Sequence, residues 1–115
     1  MKKILSILML VGISASIAFA AHGGFKDSIA PRKSTVAEVL KMSNNSYVSI
    51  QGNIIKRLSD DKYSFKDNSG TITVEIDEDK WGGVTAGTQD KLELIGEVEK
   101  KYNTTELDVD SVRKL

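Results

Sequence analysis

The 115-residue chain contains no cysteine and has one proline, one histidine and one tryptophan. Without cysteine it can form no disulfide and has no thiol nucleophile, so its stability must come from core packing. The only histidine, His22, lies outside the region where regular structure is predicted, and no glycine-rich phosphate loop is present. We therefore predict neither enzymatic activity nor a cofactor.

The N-terminus has the pattern of a secretory signal peptide. Lys2 and Lys3 precede an apolar run, Ile4 to Phe19, that ends in the small-x-small pattern Ala18-Phe19-Ala20. A retained transmembrane helix is the weaker alternative, because spanning needs about 20 residues. No cysteine follows the run to carry a lipid anchor. We predict a signal peptide at 1–20, a periplasmic location and no stable membrane insertion after cleavage.

The charge of the predicted mature chain is close to neutral. Loss of Lys2 and Lys3 leaves 14 basic and 16 acidic side chains. Residues 21–66 hold eight basic and four acidic residues, whereas residues 67–115 hold six basic and twelve acidic ones. A slightly acidic domain is a poor partner for phosphate backbones, so we predict no nucleic-acid binding.

Residues 21–34 contain two adjacent glycines and the only proline, with little apolar periodicity. This composition predicts a flexible N-terminal segment. One domain is predicted at 35–115. It begins with Thr35 and Glu38 at the spacing of a helix capping box. Helically spaced apolar residues follow, and the predicted helix ends at Asn44-Asn45.

Five strands are predicted after this helix, at residues 47–57, 62–66, 71–76, 91–100 and 105–114. Alternation places these residues on inward faces: Val48, Ile50, Ile54, Tyr63, Phe65, Ile72, Val74, Ile76, Leu92, Leu94, Val98, Leu107, Val109 and Val112. Gly52 and Gly96 lie within long strands, where glycine marks a bulge or a bend. The alternation also slips near Ser111.

Three strands, a short helical turn at 77–83 and two further strands predict an all-β fold with one or two short helices. The order is that of a five-stranded OB-fold Greek-key barrel. The inward aliphatic side chains should fill so small a barrel. Any ligand is therefore expected on the outer face or the loops.

Four stretches resemble a known family: Gln51-Gly52-Asn53-Ile54, Tyr63-x-Phe65-x-Asp67-x-Ser69-Gly70, Ile72-x-Val74-x-Ile76-Asp77-x-Asp79-x-Trp81 and Ile95-Gly96-Glu97-Val98-Glu99-Lys100. Gly23-Gly24-Phe25 and a helix from Val36 to Met42 add to the match. Together they resemble the bacterial OB-fold (BOF) family, the YgiW/YdeI group of stress-tolerance proteins. The resemblance implies a periplasmic, non-enzymatic protein linked to envelope, oxidative and metal stress. It transfers no catalytic motif.

The outer face of strands two and three is the expected binding face of an OB-fold. We predict that a polar ligand binds there and at the nearby tryptophan, through Lys62, Ser64, Lys66, Thr71, Thr73 and Trp81. A glycan or peptidoglycan fragment suits this polar surface. Four cations could gather beside it to grip an anionic group: Lys56, Arg57, Lys62 and Lys66. The face has no aromatic side chain for stacking bases, and an ordinary solvated surface is the alternative.

Trp81 could stack on a ring of the ligand, but plugging the open end of the barrel is the favoured interpretation. The densest charge cluster comprises Glu75, Asp77, Glu78 and Asp79. Its oxygens could bind a hard cation such as Ca²⁺ or Mg²⁺, although a solvated helix start explains the same residues.

Alternative functions remain open at this point. One is a cation-binding stress protein that uses the acidic cluster. Another is an adaptor that docks an envelope protein and has no small ligand. His22, next to the new amino terminus, could chelate Cu²⁺ or Ni²⁺, or it could be an incidental tail residue. The sequence does not indicate an oligomeric state.

Overall fold

A computed structural model of the chain describes residues 29–115, of which residues 31–115 form one compact unit. The predicted signal peptide at 1–20, His22, Gly23-Gly24-Phe25 and most of the predicted flexible segment lie outside the described residues. Within the described range, none of the helices has the length and apolar character needed to cross a membrane.

The described chain forms six strands and two short helices. In chain order they are β1 (Arg32–Lys33), α1 (Val36–Val39), β2 (Tyr47–Arg57), β3 (Lys62–Asp67), β4 (Gly70–Glu75), a 3₁₀-helix (Glu78–Trp81), β5 (Leu92–Lys100) and β6 (Thr105–Lys114). The five long strands agree with the predicted ones to within one residue at each end.

The strands form one sheet in the order β1-β2-β3-β4-β6-β5, and β5 also pairs with β2. This last pairing closes five strands into a barrel, so the predicted OB-fold is confirmed. The β4–β6 pair is parallel, and the other barrel pairs are antiparallel. The β2–β3 turn and the β4–β5 connection consequently lie at one end of the barrel. The β3–β4 turn lies at the other end, together with α1.

Aliphatic residues fill the barrel, as their alternation predicted. Within residues 29–115, thirteen hydrophobic residues are buried: Val36, Val39, Val48, Ile50, Phe65, Ile72, Val74, Ile76, Leu92, Leu94, Val98, Leu107 and Val109. Ile54, Tyr63 and Val112 are only partly buried, but they pack against this core. Burial of apolar surface contributes about 25 cal/mol of stability for each Å² removed from water, and it is the main stabilising term in such a domain.

Both predicted glycine positions are places where strands approach closely. A Cβ atom at Gly52 would collide with the carbonyl of Lys66, at the point where β2 leaves β5 and joins β3. One at Gly96 would collide with the carbonyl of Asp108. Beside Gly96 the register of β5 and β6 shifts by one residue, which accounts for the predicted slip near Ser111.

The first helix is shorter than predicted. The capping box is present: the Thr35 hydroxyl accepts from the Glu38 N–H, and the Glu38 carboxylate accepts from the Thr35 N–H. Only Val36–Val39 is α-helical; the Leu40 N–H still bonds four residues back, whereas the N–H groups of Lys41 and Met42 bond three residues back. The prediction of a helix to Met42 was therefore wrong, because the last turn tightens instead of continuing.

Strand β1 is an addition to the predicted barrel. Arg32 and Lys33 pair in parallel with Val48 and Ser49, along the part of β2 that lies beyond its pairing with β3. The last residues of the predicted flexible segment 21–34 are therefore part of the sheet. A two-residue strand has no periodicity, so its sequence gives no signal.

Candidate functional site

The five polar residues predicted on the β3–β4 hairpin do share its outer face. Ser64 pairs with Thr73 and Lys66 with Thr71, while Lys62 lies opposite Glu75. The face is an open sheet surface, and none of the five lines either of the two clefts described below. Its use for binding stays a prediction.

Lys62 has a specific partner on this face. Its Nζ lies 3.1 Å and 3.4 Å from the two carboxylate oxygens of Glu106, whose side chain is only 11% exposed. The hydrogen bond and the charge of Glu106 raise the pKa of Lys62. This lysine therefore neutralises an acid of the barrel and is less available to an anionic ligand than the sequence suggested.

The predicted acidic cluster is assembled only in part. Carboxylate oxygens of Glu75 and Asp77 lie within 4.8 Å of one another and of Asp61. Glu75 forms a second such group with Glu99 and Glu106. The other two predicted members, Glu78 and Asp79, are exposed on the 3₁₀-helix and belong to neither group. Cation binding stays a prediction.

Burial and repulsion between neighbouring carboxylates both raise the pKa of acids in this region. Burial raises the pKa of Glu75, and the charges of Asp61, Asp108 and Asp77 raise it further. Burial likewise raises the pKa of Asp108, with Glu99 as the largest charged contributor. Like charges face each other across the β5–β6 pair, an arrangement that destabilises a sheet.

Trp81 lies away from the hairpin face, at the end of the barrel beside the β4–β5 connection. It is half-buried and packs against the core, and its indole ring meets the Tyr63 ring edge-on. The two ring centroids are 5.7 Å apart, and the planes cross at 86°. This is a favoured geometry for an aromatic pair. Trp81 thus covers part of the barrel end while one side of the ring faces a cleft.

We call this depression the aromatic cleft; its volume is about 860 Å³. Its floor is apolar and includes Ile54, Tyr63, Ile76 and Trp81. Residues 83–88 of the β4–β5 connection form one wall, and charged side chains of the β2–β3 end form the rim. An apolar floor with a few polar groups at the edge is the usual composition of a small-molecule site.

Arg57 belongs to this cleft because of a β-bulge. Ile54 pairs with Phe65 and Lys56 with Ser64, so Ile55 has no partner on β3. The extra residue places Arg57 opposite Tyr63, and its guanidinium carbon lies 5.6 Å from the centre of the tyrosine ring. That distance is typical of a cation–π contact.

A second groove, of about 460 Å³, lies at the opposite end of the barrel between β1, the start of α1 and the β3–β4 turn. Lys33 and Lys91 line it together with hydroxyl, amide and carboxylate side chains, and it contains no aromatic residue. The aromatic cleft is therefore the better candidate for a ligand that presents an apolar surface.

Comparison with known proteins decides the family. A model of the family described as "Bacterial OB fold (BOF) protein" matches residues 12–114. The chain belongs to the BOF family. The predicted resemblance is therefore confirmed over most of the sequence.

Curated BOF relatives match along nearly their whole length. Protein YgiW of Escherichia coli strain K12 is 37% identical over 128 aligned residues, covering 100% of this chain and 98% of its own. The calcium-regulated OB-fold protein CarO of Pseudomonas aeruginosa is 30% identical, covering 94% of this chain and 92% of its own.

Solved structures agree with the barrel of this BOF protein. The structure of YgiW from E. coli is 44% identical and covers 81% of this chain and 99% of its own, with a TM-score of 0.71. The telomere capping protein Ten1 of Schizosaccharomyces pombe has a TM-score of 0.61 at 12% identity, with 74% and 81% coverage. The second likeness shows the fold alone.

The sequence predicted Trp81 as a ligand-binding residue together with the hairpin face, whereas in the structure it lies beside Tyr63 at the barrel end. The sequence predicts Tyr63 as an inward core residue and not as a ligand-binding residue, although it also lines the BOF protein's aromatic cleft. Arg57 was named only as one of several gathering cations. The available signal was the apolar pair Ile54-Ile55, which breaks strict alternation just before the cations and marks the bulge.

Proposed function

We propose that this BOF protein is a non-enzymatic periplasmic binding protein that supports stress tolerance. Its ligand is a polar envelope component, a glycan or a peptidoglycan fragment, held in the aromatic cleft. The observation that carries this proposal is the Tyr63–Trp81 pair on the floor of a concave site at the barrel end. Aromatic rings offer a rigid apolar surface to the C–H face of a sugar, while rim groups bind its hydroxyls.

The location and the absence of catalysis rest on the sequence. The signal-peptide pattern at 1–20 supports export, and a domain without cysteine or histidine has few groups for nucleophilic or acid–base chemistry. The acidic groups around Glu75 support cation binding as a second candidate. An adaptor without a small ligand is the outcome left if neither class of molecule binds.

The test uses the exported protein, purified from the periplasm after expression of the full chain. Thermal unfolding and Trp81 fluorescence are followed with peptidoglycan fragments, neutral glycans and divalent cations. A ligand at 100 times its Kd adds about 2.7 kcal/mol of stability. Each kcal/mol raises the midpoint of a domain of this size by about 4–8 °C.

Two variants locate the site. Trp81→Ala removes half of the aromatic floor and should abolish the shift with glycans. Lys66→Ala, on the outer hairpin face, should leave it intact. The reverse pattern would return the site to the hairpin. A shift with cations alone would favour the acidic groups, and no shift with any probe would contradict small-ligand binding.

A further inference from the structure

We propose that the aromatic cleft selects ligands that carry an oxyanion, a carboxylate or a phosphate, beside the ring that stacks on its floor, and that Arg57 and Lys56 recognise this group. The inference rests on the proposed function, because it assumes that the cleft is the glycan site. It adds the chemical class of the ligand and the residues that determine specificity.

A β-bulge at Ile55 determines which side of β2 carries Arg57. In the uninterrupted alternation that starts from buried Val48 and Ile50, residue 57 would face outward. The bulge shifts the register by one and brings Arg57 to the side of β2 that carries Tyr63. Bulges commonly re-aim a side chain next to a binding site. Without the bulge, Arg57 would lie on the side of β2 away from Tyr63; Lys56, which pairs with outward-facing Ser64, lines the cleft at its rim.

The Arg57 guanidinium is held in place by two hydrogen bonds. Its Nε donates to the carbonyl of Ser59 at 3.0 Å, and its Nη2 donates to the carbonyl of Asp60 at 2.8 Å. Its central carbon lies over the Tyr63 ring, 5.6 Å from the ring centre. A guanidinium has five N–H donors, so about three remain for a ligand after these two bonds. A charge fixed in advance loses less entropy on binding than a mobile one.

The two cations of the cleft also differ from other basic residues in their partners. In the described part of the chain, neither Arg57 nor Lys56 forms a salt bridge, whereas Lys62 and Arg113 each pair with a glutamate. The side chains of Asp60 and Glu78 also line the cleft, so its formal charge is balanced. Selection therefore depends on where Arg57 sits relative to the aromatic floor, not on a net positive field. Guanidinium–oxyanion hydrogen bonds supply that local preference.

The experiment compares matched probes by titration of Trp81 fluorescence. N-acetylglucosaminyl-N-acetylmuramic acid is measured against its carboxyl amide, and N-acetylglucosamine 1-phosphate is measured against N-acetylglucosamine. We expect at least one acidic member to bind about tenfold more tightly than its neutral partner, which corresponds to about 1.4 kcal/mol. The pair that shows the preference distinguishes a carboxylate from a phosphate.

Variants assign the preference to residues. Arg57→Gln and Lys56→Gln should each bring the ratio of the affinities for the acidic and the neutral probe closer to one. Arg57→Lys should retain part of the preference for the acidic probe. Lys56 has no side-chain hydrogen bond in residues 29–115, so its variant is informative even if loss of Arg57 disturbs the β2–β3 turn. The matched control is Lys41→Gln, an exposed lysine near the other end of the barrel, which should keep the wild-type ratio.

Three results would overturn the inference, and they differ in what they say about the proposed function. Equal affinity for the acidic and neutral members of both pairs would refute charge selection while leaving glycan binding in place. If none of the four probes bound, glycan recognition in the cleft and its charge selection would fail together. An acidic preference that both glutamine variants retain would remove Arg57 and Lys56 from the recognition.

Discussion

The carboxylate of Asp67 joins two parts of the fold that are far apart in sequence. One oxygen accepts from the Val36 N–H at 2.9 Å, at the start of α1. The other accepts from the Ser69 N–H at 2.7 Å, the Ser69 hydroxyl at 2.6 Å and the Gly70 N–H at 3.1 Å. The Ser69 hydroxyl in turn accepts from the Ala37 N–H. The β3–β4 turn thus caps the helix that closes this end of the barrel.

We predict that Asp67→Ala strongly destabilises the domain. Val36 is fully buried, so its N–H would lose the Asp67 carboxylate as acceptor and would gain little access to water. An unsatisfied buried donor costs about 1–3 kcal/mol, and hydrogen bonds to a charged group contribute about 1.5–3 kcal/mol each. Because such terms are not additive, we expect a total loss of about 2–4 kcal/mol. The midpoint should fall by at least about 8 °C.

Urea unfolding and a thermal melt measure this loss, with Asn68→Ala as the control. Asn68 is the exposed neighbour in the same turn, and its side chain makes no hydrogen bond within the described residues. It should change stability by less than about 0.5 kcal/mol. If Asp67→Ala cost no more than Asn68→Ala, the turn would not be capping the helix and the reasoning would be refuted.

The pH dependence provides an independent check. Burial alone would raise the pKa of Asp67, but hydrogen bonds from Ser69, Val36 and Gly70 outweigh it and lower the pKa below the ordinary 3.8. A lowered folded-state pKa stabilises the protein above the unfolded value, and this contribution is lost as the pH falls through the folded value. The stability difference between wild type and Asp67→Asn should therefore be constant near neutral pH and shrink below about pH 3.8.

Two further substitutions test the barrel itself. Glu75→Gln should stabilise the protein at pH 7 by a few tenths to about 1 kcal/mol, because it removes like-charge repulsion within the sheet. Because the folded-state pKa of Glu75 is raised, the gain in stability should disappear as the pH falls and the wild-type carboxylate is protonated. Urea unfolding measures the change, and a lower urea midpoint for Glu75→Gln than for wild type at pH 7 would contradict the prediction. Gly96→Ala should destabilise by about 1–3 kcal/mol, because the new methyl group overlaps the backbone of β6. Gly87→Ala is its control, because the atom nearest to a Cβ built at that position is 3.9 Å away. Thermal melts measure both variants, and equal losses of stability would refute the close approach at Gly96.

Much of the barrel was predictable because a two-residue period and turn residues are local signals. The β3–β4 hairpin follows from alternation on both sides of the turn that begins at Asp67. Gly52 and Gly96, predicted as positions of a bulge or a bend, lie where a neighbouring carbonyl is so near that only glycine fits. The family motifs agreed with both.

The candidate site was less predictable because it depends on register and on contacts across the chain. The sequence placed Lys62 on a ligand-binding face, but its ammonium group donates a hydrogen bond to the carboxylate of Glu106, 44 residues away in the sequence. The sequence grouped Glu75 with its neighbours Glu78 and Asp79. In the folded protein, Glu75 lies in one carboxylate group that includes Asp61 and in a second with Glu99 and Glu106. No local pattern encodes these partners, because strand pairing determines them.

The sequence alone determined the fold class, the positions of the five long strands and the core, because hydrophobic alternation and glycine placement act within a few residues of the chain. Tertiary structure decided the chemistry of the surface. A single unpaired residue in β2 brought Arg57 over Tyr63, and closure of the barrel set Trp81 against the same ring. A one-residue change in strand register moves every later side chain to the other face, so the composition of the cleft could be known only after the strands were paired.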